Sequence, residues 1–190
     1  MLHWKEEADY CATLLAQGKV IVYPTDTVWG IGCDAMNTEA VRHVFELKHR
    51  PPQKSMILLL ADITELQRYV SVPDDTVIQK IKAFERPTTV VFPEVKGLPD
   101  AVLAPDGSVA FRITKDPFCA ALIQASGHPL VSTSANISGG PAAALYPDID
   151  PRILRGADYV VHHRRNDMQI AAPSAIVRFE EDGSTTVLRA

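Results

Sequence analysis

Lys19-Val20-Ile21-Val22-Tyr23-Pro24-Thr25-Asp26-Thr27-Val28-Trp29-Gly30 joins a β-branched apolar run to a polar turn. The run Lys19–Tyr23 predicts a short buried strand. Two hydroxyls, a carboxylate and an aromatic follow at its C-terminal end, where ligands commonly sit in α/β sheets. Pro24 and Asp26 equally suit a turn with no ligand, so two readings stand side by side.

Outward from this strand, helices and strands alternate. Trp4, Ala8, Cys11 and Leu15 recur at helical spacing, and Gly18 ends the pattern. Thr38 reads as the N-cap of a helix carrying Val41, Val44, Phe45 and Lys48, with Pro51-Pro52 as its stop. Met56–Leu60 reads as a buried strand. Asp62 with Glu65 predicts a short helix through Tyr69, and Asp75 another with Val77, Ile78, Ile81 and Phe84 inward. Thr88–Phe92 and Ser108–Ile113 are further strands. Asp116-Pro117 opens a helix with Phe118, Ala121, Leu122 and Ala125 on its apolar side. Pro129–Thr133 is a strand, Asp150-Pro151 starts a short helix, and Tyr159–His162, Ala175–Phe179 and Thr185–Leu188 close the chain as strands. Asp182-Gly183 predicts a hairpin turn between the last two. The fold class is α/β (α+β) with a mixed sheet, in one domain over residues 1–190, since 190 residues are close to the usual size of a domain.

Composition narrows the function. Apolar residues are 46% and charged residues 22%, too apolar for a disordered chain. No stretch approaches the roughly 20 apolar residues of a membrane helix, and no apolar signal region follows Met1. Three scattered cysteines, Cys11, Cys33 and Cys119, give neither a disulfide framework nor zinc spacing, so a cytoplasmic protein is expected. A net charge of −4 argues against a generally basic nucleic-acid surface but leaves room for a local basic pocket.

Further segments hold polar residues that do not suit a core. Lys48-His49-Arg50-Pro51-Pro52-Gln53-Lys54 crowds cations at a helix end. They serve either the helix dipole or an anion pocket. Val131-Ser132-Thr133-Ser134-Ala135-Asn136-Ile137-Ser138-Gly139-Gly140 can ring a ligand with hydroxyls, amides and backbone N–H groups, or form a polar surface loop. Arg112 stands alone in a strand between Phe111 and Ile113, and Arg189 ends the last one. His162-His163-Arg164-Arg165 reads as a solvated basic turn without metal-ligand spacing. No Walker A motif or nucleophile elbow is present, and Gly30-Ile31-Gly32 is only a fragment of a dinucleotide fingerprint. The residues gather cations and hydroxyls for an anionic, polar ligand.

Taken together and in order, Y-P-T-D-T-V-W-G-I-G-C-D-A, L-K-H-R-P and V-S-T-S-A-N-I-S-G-G-P resemble the YrdC/Sua5 family of threonylcarbamoyl-adenylate synthases, from about Gly18 to Arg189. The family's K-x-R and S-x-N pairs are present as Lys48/Arg50 and Ser134/Asn136. The resemblance implies an open twisted mixed sheet with flanking helices and a concave basic pocket, in the single-domain form without the extra domain of Sua5-type members. It implies condensation of L-threonine, bicarbonate or CO2, and ATP to threonylcarbamoyl-AMP and pyrophosphate, for the t6A modification of tRNA. By resemblance, Lys48, Arg50, Ser134 and Asn136 are catalytic and, with Thr89 and Arg189, bind ATP. Thr25, Arg112, Ser132 and Ser174 match the threonine site, with Arg112 facing the carboxylate. Mg2+ enters on the ATP phosphates rather than in a protein cage. The t6A-pathway transferase is the implied acceptor of the product and tRNA its destination. No membrane partner is expected. Four places depart from the family pattern. Gln53-Lys54-Ser55-Met56 stands where many members have an acidic residue and P-L. Arg86 replaces a glycine, which bears on the backbone geometry there. Ala175 loses a hydroxyl, and Leu59 stands where some members carry a histidine. A non-catalytic RNA-binding module and a diverged paralogue of the same fold are the alternatives.

Overall fold

The computed structural model describes residues 3–51, 56–70, 75–180 and 184–190. These described residues form five α-helices: α1 (Trp4–Ala16), α2 (Thr38–Leu47), α3 (Asp75–Ala83), α4 (Pro117–Ser126) and α5 (Pro151–Gly156). Among the described residues there are nine strands: β1 (Ile21–Tyr23), β2 (Gly30–Gly32), β3 (Ile57–Leu60), β4 (Thr88–Phe92), β5 (Val109–Ile113), β6 (Leu130–Ser134), β7 (Tyr159–Val160), β8 (Ala175–Phe179) and β9 (Thr185–Arg189). They form one mixed sheet in the order β7-β1-β2-β6-β3-β5-β4-β8-β9. β1/β7, β3/β5 and β4/β8 pair parallel, and the remaining neighbours antiparallel. No described helix is long and apolar enough to cross a membrane.

Side-chain alternation sorts the sheet into two faces. Leu58, Leu60, Phe111, Val131, Val22 and Ile31 face one way, into a core closed by Val41 and Val44 of α2 and Ile153 of α5. Ile21, Tyr23, Leu59 and Leu130 face the other way, against α1 and α4. Fully burying such aliphatic side chains stabilises by about 1.5–3 kcal/mol each, which fixes the register of every strand involved. The α1–α4 pair covers only part of its face. What it leaves uncovered becomes the site.

Several sequence expectations are corrected. Asn37, not Thr38, caps α2: its side-chain oxygen accepts from Ala40 N at 3.0 Å. That helix stops at Leu47, before the prolines, because His49 adopts φ +48°. The short helix expected through Tyr69 is a 3-10 helix over Ile63–Arg68, with Asp62 as its N-cap, as expected, and Tyr69 as its C-cap. α3 buries no residue fully; only Ile78 and Ile81 lean on the core. Ala125 is exposed, and Cys119 and Ile123 take its place in the α4 core. β2 escapes the sequence reading, since two of its three residues are glycine. The Asp182-Gly183 turn lies outside the described residues.

Those glycines answer a packing demand. A Cβ on Gly32 would lie 1.6 Å from the Val131 carbonyl oxygen, and one on Gly30 would meet the Tyr23 ring at 3.1 Å. Gly30-Ile31-Gly32 therefore lets β2 lie under Tyr23 and close to β6, which makes the dinucleotide-fingerprint resemblance incidental.

Candidate functional site

The uncovered part of the sheet floors a cleft of about 630 Å3. Strand register places Arg178, Val91, Ala110, Ile57 and Ser132 side by side across β8, β4, β5, β3 and β6. All five line the cleft. Four inter-strand spacings make this row about 19 Å long. Arg112 stands one step along β5 from Ala110 on the same face. Arg50, Arg112, Arg178 and Arg189 line the cleft against one carboxylate, Asp106, so it is basic although the chain is acidic.

At the β6 end, Ser132, Ser134 and Arg50 reach the cleft. Lys48 does not line it. Its ammonium is turned into the protein and donates to the carbonyls of Ser134 (2.5 Å) and Asn136 (2.7 Å). Its own carbonyl accepts from Ser138 N at 2.8 Å. Asn136 is committed as well. Its Nδ2 donates to the carbonyls of Ile137 and Gly140, while its Oδ1 accepts from the Ser134 hydroxyl. The K-x-R and S-x-N segments thus lock together, with Lys48 and Asn136 as the fastenings and Arg50 and Ser134 as the exposed faces. Burial, with the Arg50 charge adding to it, pulls the Lys48 amine down to about 7. A neutral amine still has two hydrogens for the two carbonyls. Burial also lowers the Arg50 guanidinium.

In the middle of the floor, Arg112 is only 4% exposed. Its Nη1 donates to Thr27 Oγ1 at 3.0 Å, and its Nη2 lies 3.2 Å from Asp26 Oδ1. Its Nε has no partner, and Asp26 Oδ1 accepts no well-aligned hydrogen bond. A buried guanidinium with an unmet donor is costly unless something supplies the acceptor. Thr25 shapes the turn rather than the cleft. Its hydroxyl donates to the Val28 carbonyl (2.8 Å) and accepts from Thr27 N (2.9 Å). Trp29 packs in the opposite core, so it is no ligand group.

At the β8–β9 end, Arg189 Nε donates to the Ser174 carbonyl at 2.9 Å and Nη2 to its hydroxyl at 3.2 Å. Ser174 Oγ also lies 2.8 Å from the fully buried Thr89 hydroxyl. Ser174 and Arg189 line the cleft, and Thr89 stands behind them. Burial lowers the Arg189 guanidinium, and the charge of Arg112 lowers it further, so these cations share a region an anion would relieve.

The structure therefore gathers Arg50, Arg112, Ser132, Ser134, Ser174 and Arg189 at one cleft. It sets Lys48, Asn136, Thr89 and Thr25 just behind its wall. Sequence reasoning singled out the turn that carries Asp26 and Thr27 but gave neither a role, and it missed Arg178. For Arg178 the signal was present, because Ser174, Ile176 and Arg178 alternate along β8 onto one face. Leu59 is fully buried in the second core, beside Arg112 in the sheet, and does not line the cleft. Arg86 has no left-handed backbone, so the lost glycine needs no special geometry. Ala175 pairs with Thr88 in the sheet.

The His162–Arg165 run is a turn, as read from the sequence, with His162 exposed, but it is anchored from beneath. Glu7 is buried beneath it and accepts from His162 N (2.7 Å), His163 N (3.0 Å) and the Tyr159 hydroxyl (2.8 Å). Burial pushes the Glu7 carboxyl up, but these hydrogen bonds outweigh it and hold it below its ordinary value. Among the described residues no group of three or more His, Cys, Asp or Glu could hold a metal ion.

Comparison with known proteins agrees with this architecture. Residues 13–190 match the Sua5/YciO/YrdC family model, whose description reads "Telomere recombination". A threonylcarbamoyl-AMP synthase of Stenotrophomonas maltophilia is 38% identical over 156 residues, covering 80% of this chain and 84% of that one. A Sua5 variant from P. abyssi superposes with a TM-score of 0.88 at 25% identity, over 97% of this chain and 56% of that one. P. abyssi Sua5 complexed with L-threonine superposes with a TM-score of 0.83 at 22% identity, over 97% of this chain and 54% of that one. This chain thus spans little more than half of the Sua5 chains. With the K-x-R and S-x-N segments interlocked at one end of a basic cleft, and with the match running from the first helix to the last strand, the chain belongs to the Sua5/YciO/YrdC family.

Proposed function

We propose that this protein is an L-threonylcarbamoyladenylate synthase, a nucleotidyltransferase that works as one YrdC-like domain in the cytoplasm. The observation that carries the reading is Arg112. It is a buried cation with an unmet donor in the middle of a cleft that holds further cations at both ends. Such a floor accommodates two anionic groups at once, as the joining of an amino acid to a nucleotide requires.

Arg112 takes the threonine carboxylate, and Ser132 and Ser174, which line the same cleft, offer hydroxyls to the rest of the amino acid. Thr25 contributes through the turn that sets Thr27 against Arg112. Arg50 and the Ser134 loop take the triphosphate, with Lys48 and Asn136 holding that loop in shape. Arg189, braced by Ser174 and Thr89, supplies charge to the nucleotide from the other end. The neutral threonine amine attacks the carbon of CO2 with loss of a proton, or that of bicarbonate with loss of water, and either route gives the carbamate. The carbamate oxygen then bonds to the α-phosphorus and pyrophosphate departs. The protein forms no covalent bond. It lowers the barrier by holding the reactants together and by placing fixed positive charge where negative charge develops.

The hydroxyls beside Arg50 are weak donors for a divalent ion. We therefore place Mg2+ on the phosphate oxygens, where it supplies charge neutralisation of the nucleotide. The product is activated and short-lived, so a t6A-pathway transferase acting on tRNA is the fitting acceptor.

The test is a dropout assay. Protein with MgATP, L-threonine and bicarbonate is expected to give threonylcarbamoyl-AMP by mass spectrometry, and none when any one substrate is omitted. Arg50→Ala is expected to lower kcat/KM for ATP by about 100-fold or more, the loss of a charged contact to phosphate. Folded wild-type protein that binds ATP yet makes no product would refute the reading.

A further inference from the structure

The run His162-His163-Arg164-Arg165 stands outside the proposed chemistry, yet its third residue reaches the site from behind. Arg164 has a left-handed backbone, φ +65°, one of only two non-glycine residues so placed among those described. A side-chain-bearing residue held there stores strain that the surroundings have to impose, and such strain concentrates near functional sites. The surroundings here are specific. Arg164 Nη1 donates to the Thr25 carbonyl at 3.1 Å and to Asp116 Oδ2 at 2.8 Å, and its Nε donates to Asp167 Oδ2 at 3.1 Å. Asp116 is 6% exposed and is also the N-cap of α4.

The Pro24–Val28 turn is thus pinned from one side by three groups from other parts of the chain. Cys119 Sγ donates to the Pro24 carbonyl at 3.3 Å, Arg164 donates to that of Thr25, and Lys115 N donates to Asp26 Oδ2 at 3.1 Å. From its other side the turn presents Thr27 Oγ1 and Asp26 Oδ1 to Arg112. Among the described residues Arg112 has no other hydrogen-bond acceptor, so the turn sets where the guanidinium points. Of the three pins, two belong to the α4 entry itself. Arg164 alone ties the turn to both the helix cap and the segment leading to β8.

We propose that Arg164 is a positioning residue for the cleft: through the Thr25–Thr27 turn it sets the orientation of Arg112 and thereby the affinity for the substrate carboxylate. The identity of that carboxylate as threonine's rests on the function proposed above. The orientation of Arg112 does not.

The experiment has two readouts. The first is the arginine side-chain 15N–1H spectrum, with the Arg112 Nε–H resonance assigned by its loss in Arg112→Lys. Arg164→Ala is expected to shift this resonance and speed its exchange with solvent, leaving that of Arg50 in place. Arg164→Lys, which keeps the charge but cannot span three acceptors, is expected to do so to a smaller extent. The second readout is steady-state kinetics. Arg164→Ala is expected to raise KM for L-threonine about 10-fold and to change KM for ATP by less than about twofold. A purely structural role would move both constants together. An Arg112 resonance unchanged in Arg164→Ala, or in Arg164→Lys should the alanine variant fail to fold, would overturn the proposal, as would parallel changes in the two KM values. Wild-type protein that makes no product would fault the synthase reading alone, and the Arg112 resonance would still decide on Arg164.

Discussion

Lys48 shows how far residue type underdetermines role. Its spacing from Arg50 marks an anion site in sequence, and a phosphate-binding ammonium is the natural expectation. The folded chain spends that ammonium on the carbonyls of Ser134 and Asn136 and leaves Arg50 at the cleft. The difference has a pH signature. Burial first, and the Arg50 charge second, lower the Lys48 pKa from 10.5 to about 7. Above that value the folded protein has lost the proton while the unfolded chain keeps it. The unfolded state then binds more protons, and stability rises with pH. The expected result is a positive slope of unfolding free energy against pH between about 7 and 9, measured by urea denaturation. The slope is absent in Lys48→Met. Above about 9 the buried thiols act in the opposite sense, because burial raises their pKa values and the unfolded chain ionises first. A wild-type slope that survives in Lys48→Met would assign the effect to another group.

Elements came through the sequence unevenly, for physical reasons. Helices with a polar cap and an apolar stripe were legible, as Asp116-Pro117 before α4 shows. Strands of β-branched residues were legible too. β2 was not, because two of its three residues are glycine, which strands disfavour; its pairing is imposed by neighbours that leave no room for a side chain at either glycine. Gly32→Ala is therefore expected to be the more damaging of two otherwise similar changes. Its Cβ would meet a backbone oxygen that can yield only by separating β2 from β6, at a cost of about 3 kcal/mol or more. Gly30→Ala meets the edge of a ring that can give by a few tenths of an ångström. Thermal melts should rank them in that order, with about 6–12 °C lost for Gly32→Ala in a chain of this size. Equal melting temperatures would contradict the close approach of β2 to β6.

Across the whole molecule, one face of the sheet is closed and the other is divided between the α1–α4 pair and the cleft. The three cysteines report on this closure. Cys33 lies in the first core, and Cys11 and Cys119 lie in the second under α1 and α4. All three are free and fully buried, and burial lifts Cys11 to about 12. A thiol reagent such as Ellman's should label none of them rapidly in the native protein at pH 8 and all three after denaturation. Rapid labelling of one thiol in the native state would show that its core opens.

The sequence by itself determined the alternation of helices and strands, the acidic chain with local basic segments, and the three polar segments that converge on the site. These are properties of periodicity and local composition, and the chain carries them wherever it folds. Only the tertiary structure decided which of the singled-out residues face the cleft. Arg112 and Arg178 owe their places to strand register across the sheet, and Lys48 and Asn136 are turned inward by each other's loops. Arg164 meets the Thr25 carbonyl across 139 residues of chain. Contacts of that kind depend on which strands become neighbours, and no local pattern records the choice.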